Sequence, residues 1–146
     1  MAIEPPRLFI DTWGWLSLAD AKDPAHRQVV QVRRSYAGRG SLVTTDYILD
    51  ETITRLFSRS PFSQAQAFCE AIFEARALDM LSLQVITPDR FERAWKLRTR
   101  YRDKPHISFT DLTSFVVMQE LGIRQVLTAN SYFAKVHLGF RILPLR

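Results

Sequence analysis

The sequence predicts an α/β fold with a central four- or five-stranded parallel sheet flanked by helices. Short apolar runs suited to buried strands alternate with longer segments of helical periodicity, the pattern of parallel βαβ units. No repeat, low-complexity tract or Gly/Ser linker interrupts the 146 residues, so the whole span 1–146 reads as a single domain.

The elements follow in order. Arg7-Leu8-Phe9-Ile10 is a short apolar run ending at Asp11 that suits a buried strand, and residues 12–18 suit a short helix. A second helix is expected over 24–36, with Pro24 in its first turn, until Gly38-Arg39-Gly40 breaks it. Residues 41–44 form the next strand. Asp46 then reads as the N-cap of a helix carrying Ile48, Leu49, Ile53, Leu56 and Phe57. Ser60-Pro61 stops that helix, and Ser63 starts another that runs to Ala77. Residues 80–86 are strand-like, and Thr87-Pro88-Asp89 opens a helix to about Tyr101. A polar loop, 102–106, leads to the cap Ser108 and an apolar helix closed by Gly122. A strand at 125–128, a short helix around Tyr132-Phe133 and a strand at 140–143 complete the chain.

Composition narrows the function. There is no apolar stretch of bilayer length, and the first residues do not read as a secretory leader, so a cytoplasmic location is expected. One cysteine, Cys69, excludes an internal disulfide framework and a cysteine-rich zinc site. His26, His106 and His137 are scattered without metal-ligand spacing. The net charge of +5 favours a polyanionic partner, because phosphate contacts release condensed counterions.

Ligands of open parallel sheets gather beyond the carboxyl ends of the strands. Asp11 and Asn130 each follow a strand, while Asp111 and Glu51 lie early in helices. These four oxygen-bearing side chains can meet at one sheet edge, where oxygen ligands suit Mg2+ or Mn2+ rather than zinc. Each has a structural alternative. Asp11 can cap the following helix, and Asp111 stands three residues after Ser108, the spacing of a capping box. Glu51 can be a solvated helix acid and Asn130 a turn residue.

The segments Leu8-Phe9-Ile10-Asp11-Thr12, Thr44 to Thr52, Ser108-Phe109-Thr110-Asp111 with Ser114-Phe115, and Leu127-Thr128-Ala129-Asn130 with Phe133 and Leu143-Pro144 occur together, in this order. The combination resembles the PIN-domain family, and within it the VapC-like toxin ribonucleases. The resemblance implies that Asp11, Glu51 and Asp111 form an acidic, metal-binding catalytic centre with Asn130 beside it. It further implies RNA hydrolysis to a 5′-phosphate and a 3′-hydroxyl, a homodimer, and a cognate antitoxin as partner. Family members usually carry an aspartate where this chain has Asn130. An amide keeps an oxygen donor but loses a charge, which puts a second cation in question.

Around these acids stand cations. Arg93, Lys96, Arg98, Arg100, Arg102 and Lys104 precede Asp111, and Arg55 and Arg59 follow Glu51 by one and two helical turns. Arg55, Arg100, Arg102 and Lys104 are the expected contacts to RNA backbone, against the alternative of a solvated helix face. Asp103 is a possible support for the site or a solvated loop acid. Trp13 and Trp15 can stack on bases or pack inside. Phe57, Phe62 and Phe68 can line a groove for a partner. Two competing readings remain: an altered PIN-like domain that binds RNA or protein without cutting, and a housekeeping RNA-processing nuclease. Nucleotide binding ranks last, because no Gly-rich phosphate loop is present.

Overall fold

The computed structural model describes residues 5–145. Residues 1–4, where a secretory leader would begin, lie outside the described residues. The chain order is β1 (Leu8–Ile10), α1 (Thr12–Ala19), α2 (His26–Arg34), β2 (Leu42–Thr45), α3 (Asp46–Arg59), α4 (Phe62–Ala77), β3 (Leu81–Gln84), α5 (Pro88–Arg100), α6 (Phe109–Leu121), β4 (Gln125–Leu127), α7 (Tyr132–Lys135) and β5 (Arg141–Leu143).

All strand pairings are parallel, and the five-stranded sheet has the order β3-β2-β1-β4-β5. From β1 the chain builds outward through β2 and β3, then crosses to lay β4 against the other side of β1. That reversal is the switch point at which open α/β sheets form a crevice. Asp11 and Thr128 emerge on its two sides, since Ile10 is paired with Leu127.

The central strands are apolar on both faces because helices cover both. Leu8, Phe9, Ile10, Val43, Val126 and Leu127 are fully buried. Phe115 of α6 packs edge-on against Phe133 of α7 at 4.9 Å, and Phe140 lies 5.6 Å from Phe115. This aromatic group fixes α6 beside the turn that follows β4.

One helix start refines the expectations. The N-cap of α3 is Thr45, whose Oγ1 accepts from the Ile48 amide at 3.1 Å, rather than Asp46. Asp46 instead accepts from the backbone amides of Tyr47 and Ile86, tying α3 to the segment after β3. At α6, Gly122 takes the left-handed conformation that ends the helix, φ 68°.

Arg90 and Arg93, near the start of α5, pair with Glu120 near the end of α6. Arg98, near the end of α5, donates to the Ile107 carbonyl just before α6, so the C-terminal end of α5 lies beside the end of α6 that carries Asp111. Among the described residues, no helix is long and apolar enough to cross a membrane.

Candidate active site

The site begins with β1. Ile10 ends the strand, the Asp11 amide donates to the Leu127 carbonyl at 3.2 Å, and α1 starts at once with Thr12. So sharp a turn brings the first turn of α1 onto β4. Gly14 makes the approach possible: a Cβ there would lie 2.7 Å from the Leu127 carbonyl oxygen.

Asp11 occupies the N-cap position of α1, yet its carboxylate makes no capping bond to the helix. Instead it receives the Thr128 hydroxyl at 2.7 Å and is 7% exposed. Burial raises its pKa to about 6 against the bond from Thr128, and the negative charges of Asp111 and Glu51 push the same way.

Asp111 is both cap and site residue. Ser108 Oγ accepts from the Asp111 amide at 3.0 Å, and Asp111 Oδ2 accepts from the Ser108 amide at 3.2 Å, completing the capping box. The same Oδ2 accepts from the Asn130 amide nitrogen at 3.0 Å. Burial raises the Asp111 pKa, opposed by the bonds from Ser108 and Asn130.

Asn130 is oriented by its partners. Its Oδ1 accepts from the Tyr132 amide at 3.0 Å, which forces the NH2 group toward Asp111. Its own backbone amide donates to Thr128 Oγ1 at 3.0 Å. A continuous chain of bonds thus runs from Asp11 through Thr128 and Asn130 to Asp111. The side chain expected to offer a cation an oxygen turns that oxygen away and presents a donor. Thr128 is the residue the sequence reading passed over; a hydroxyl two positions before Asn130, at the end of a buried strand, was the available signal.

Glu51 sits at the start of the second turn of α3, half-exposed, and pairs with Arg55 at 3.0 Å. Among the described residues, no three His, Cys, Asp or Glu side chains are grouped tightly enough to hold an ion as they stand.

The donor set nevertheless fits a hard divalent cation. It consists of carboxylates, and Asp11 is buried with no cationic partner among the described residues. Two buried hydroxyls lack hydrogen-bond partners there, those of Thr12 and Thr52, and each directly follows one of the acids.

The cations divide into two groups. Arg98 donates to the carbonyls of Ile107, Tyr101 and Lys104 at 2.7–2.8 Å, so it holds the loop before α6 together. Arg93 is committed to Glu120 and Asp89. Lys104 pairs with Asp103 at 2.7 Å, which lowers the pKa of that exposed carboxylate and shows a solvated loop acid. Arg100 lies over the Tyr101 ring at 5.6 Å. Arg102 is exposed and has no ion pair among the described residues. Arg55 faces the site through Glu51.

Trp15 is a core residue: its Nε1 donates to Thr44 Oγ1, and its ring meets Phe68 edge-on. Phe57 and Phe62 form an exposed pair 5.0 Å apart, whereas Phe68 packs against the core. His26 is half-buried against the Ser17 carbonyl, and His106 and His137 are exposed. Cys69 is buried, with its thiol pKa raised by burial.

With this geometry in place, the comparisons with known proteins are informative. The 23S rRNA-specific endonuclease VapC20 of Mycobacterium tuberculosis is 31% identical over 128 residues, covering 87% of this chain and 92% of the relative. The crystal structure of that protein, described as a sarcin-ricin loop cleaving toxin, superposes with a TM-score of 0.75 at 28% identity, over 89% of this chain and 95% of the other. The fold is shared with VapBC2 of Rickettsia felis bound to promoter DNA, at a TM-score of 0.65 and 14% identity, covering 92% and 96% of the two chains. The PIN domain pattern spans residues 8–138, and the chain belongs to the PIN domain family.

Proposed function

We propose that the chain is a Mg2+- or Mn2+-dependent endoribonuclease of the VapC kind, the toxin of a toxin–antitoxin pair. The observation that carries this reading is Asp11, buried at the switch point of the sheet and influenced by the charges of both Asp111 and Glu51. Its support from outside is the 31% identity to an rRNA-specific endonuclease over most of both chains.

In this reading Asp11, Glu51 and Asp111 hold the cation, and Asn130 and Thr128 orient two of the three carboxylates. A divalent ion bound there would activate a water and offset charge on the scissile phosphate. Arg100 and Arg102, with Lys104 and Arg55 beside them, hold the RNA backbone so that one phosphodiester bond meets the acids. Cleavage leaves a 5′-phosphate and a 3′-hydroxyl. The partners are RNA, an antitoxin and a second copy of the chain, all in the cytoplasm.

The test is cleavage of ribosomal RNA and of a short stem-loop copied from its sarcin-ricin region, with Mg2+, Mn2+ or EDTA. Cutting should require the metal and vanish in Asp111→Asn. Cutting in EDTA would sink metal dependence. RNA binding without cutting in saturating metal would leave a PIN domain that has kept its substrate and lost its chemistry.

A further inference from the structure

We propose that this site holds one divalent cation, not two, and that Asn130 and Thr128 are the positioning residues that set this number. The inference rests on the metal-dependent reading above and concerns how many ions that reading requires.

The hydrogen bonds leave few oxygens for metal. Asp11 Oδ2 already accepts from the Thr128 hydroxyl at 2.7 Å. Asp111 Oδ2 already accepts from both the Asn130 amide and the Ser108 backbone. Each of these acids thus spends part of its accepting capacity inside the protein, and the rest is what a cation can use. With one oxygen from Glu51, three carboxylates supply three ligands. A single small cation completes its shell from such a set with waters and a substrate phosphate oxygen.

A cation approaching Asp111 from the side of the turn after β4 would need an oxygen ligand there. That is where the NH2 group of Asn130 stands, and an N–H donor does not ligate. The oxygen of the same amide cannot rotate inward without losing the Tyr132 amide and turning a lone pair toward the Asp111 carboxylate. Charge leads to the same count. Three carboxylates against the Arg55 guanidinium leave two net negative charges, which one divalent ion cancels.

Thr128 completes the bridge. Its fully buried hydroxyl donates to Asp11 and accepts from the Asn130 backbone, so the two acids are spaced by one hydrogen-bonded unit.

The experiment counts Mn2+ bound to the RNA-free chain by electron paramagnetic resonance, with calorimetry for affinity. One ion per parent chain is expected. Asn130→Asp should bind a second, because it replaces the donor with a carboxylate. Thr128→Val should still bind one, about tenfold more weakly, because Asp11 loses its orienting bond. Thermal melts confirm that each variant is folded; should Asn130→Asp fail to fold, Asn130→Ala, expected to bind one ion weakly, takes its place beside the parent. Two ions per parent chain overturn the inference. An unchanged count and affinity in folded Asn130→Asp overturns the role of Asn130. Uptake of no ion by the parent overturns the metal-dependent reading itself, a result distinct from a count of two.

Discussion

The Asn130 side chain donates to Asp111 Oδ2 at 3.0 Å, so the residue expected to offer an oxygen instead braces an acid with its NH2 group. The bond joins the turn after β4 to the first turn of α6. Asp111 thereby serves three partners at once: the Ser108 amide, Asn130 and the electrostatics of the crevice. Capping does not exclude the catalytic role proposed for this residue. The capping box is what aims its carboxylate.

Asp11 makes the metal-free fold sensitive to pH. Its folded pKa, about 6, exceeds the ordinary 3.8. A carboxylate with a raised pKa binds its proton more tightly when folded, so stability is lost as pH rises from about 4 through 6 and stays lost above. Two pKa units correspond to a cost on the order of 3 kcal/mol at neutral pH. Asp11→Asn should therefore melt higher than the parent at pH 7 without metal, with the gap closing toward pH 4, and should not cleave RNA. A gap independent of pH would show that burial of the charge is not the cause.

The outline of this site was legible because its acids end local patterns. A buried strand closing on Asp11 and a Ser108–Asp111 spacing are readable within a few residues. Thr128 was not, because its partner Asp11 lies 117 residues away and no periodicity links them. Asp46 was misplaced as a cap for the same reason: its carboxylate answers to the Ile86 amide, 40 residues on, while Thr45 takes the capping bond. Arg98 looked like one more cation in a run, and only the folded loop shows it facing three carbonyls. Long-range partners decide side-chain roles that composition leaves open.

Arg55 competes with the cation for Glu51. Their i,i+4 pair is partly exposed and is worth about 0.4 kcal/mol, which corresponds to roughly twofold in affinity. Arg55→Gln should lower the half-saturating metal concentration by about that factor. If Arg55 also holds RNA, the KM for RNA should rise in the same variant while kcat at saturating metal holds. A metal requirement that increases would place Arg55 in support of Glu51 rather than in competition with it.

Gly14→Ala tests the closeness of α1 and β4. Alanine normally stabilises a helix interior over glycine by about 1 kcal/mol. Here the new Cβ would sit 2.7 Å from a backbone oxygen that cannot move cheaply, and 3.0 Å and 3.1 Å from Leu127 and Ile10 side chains. The sign should reverse, with a loss of about 1–3 kcal/mol in chemical denaturation. Cleavage should fall further than stability, because the shifted strand carries Thr128. A stabilised variant would mean that the helix backs off freely and that the crevice tolerates the movement.

Arg98 and Arg102 lie four residues apart in one basic run and should fail in different ways. Arg98 spends its guanidinium on the carbonyls of Tyr101, Lys104 and Ile107, so Arg98→Ala leaves three acceptors without that donor and loosens the loop entering α6. Its loss should cost roughly 1–3 kcal/mol of stability and so lower the melting temperature, with RNA affinity impaired only as the loop is. Arg102 is exposed and free of ion pairs among the described residues, so its removal should leave melting unchanged. If Arg102 meets a phosphate, Arg102→Ala should weaken RNA binding and reduce the salt dependence of log K by about 0.7, the share of one contact to single-stranded nucleic acid. Binding of RNA to catalytically inert Asp111→Asn, measured across salt concentrations with and without Arg102→Ala, isolates that share from turnover. An unchanged slope would make Arg102 a solvated loop residue and leave backbone contact to Arg100, Lys104 and Arg55.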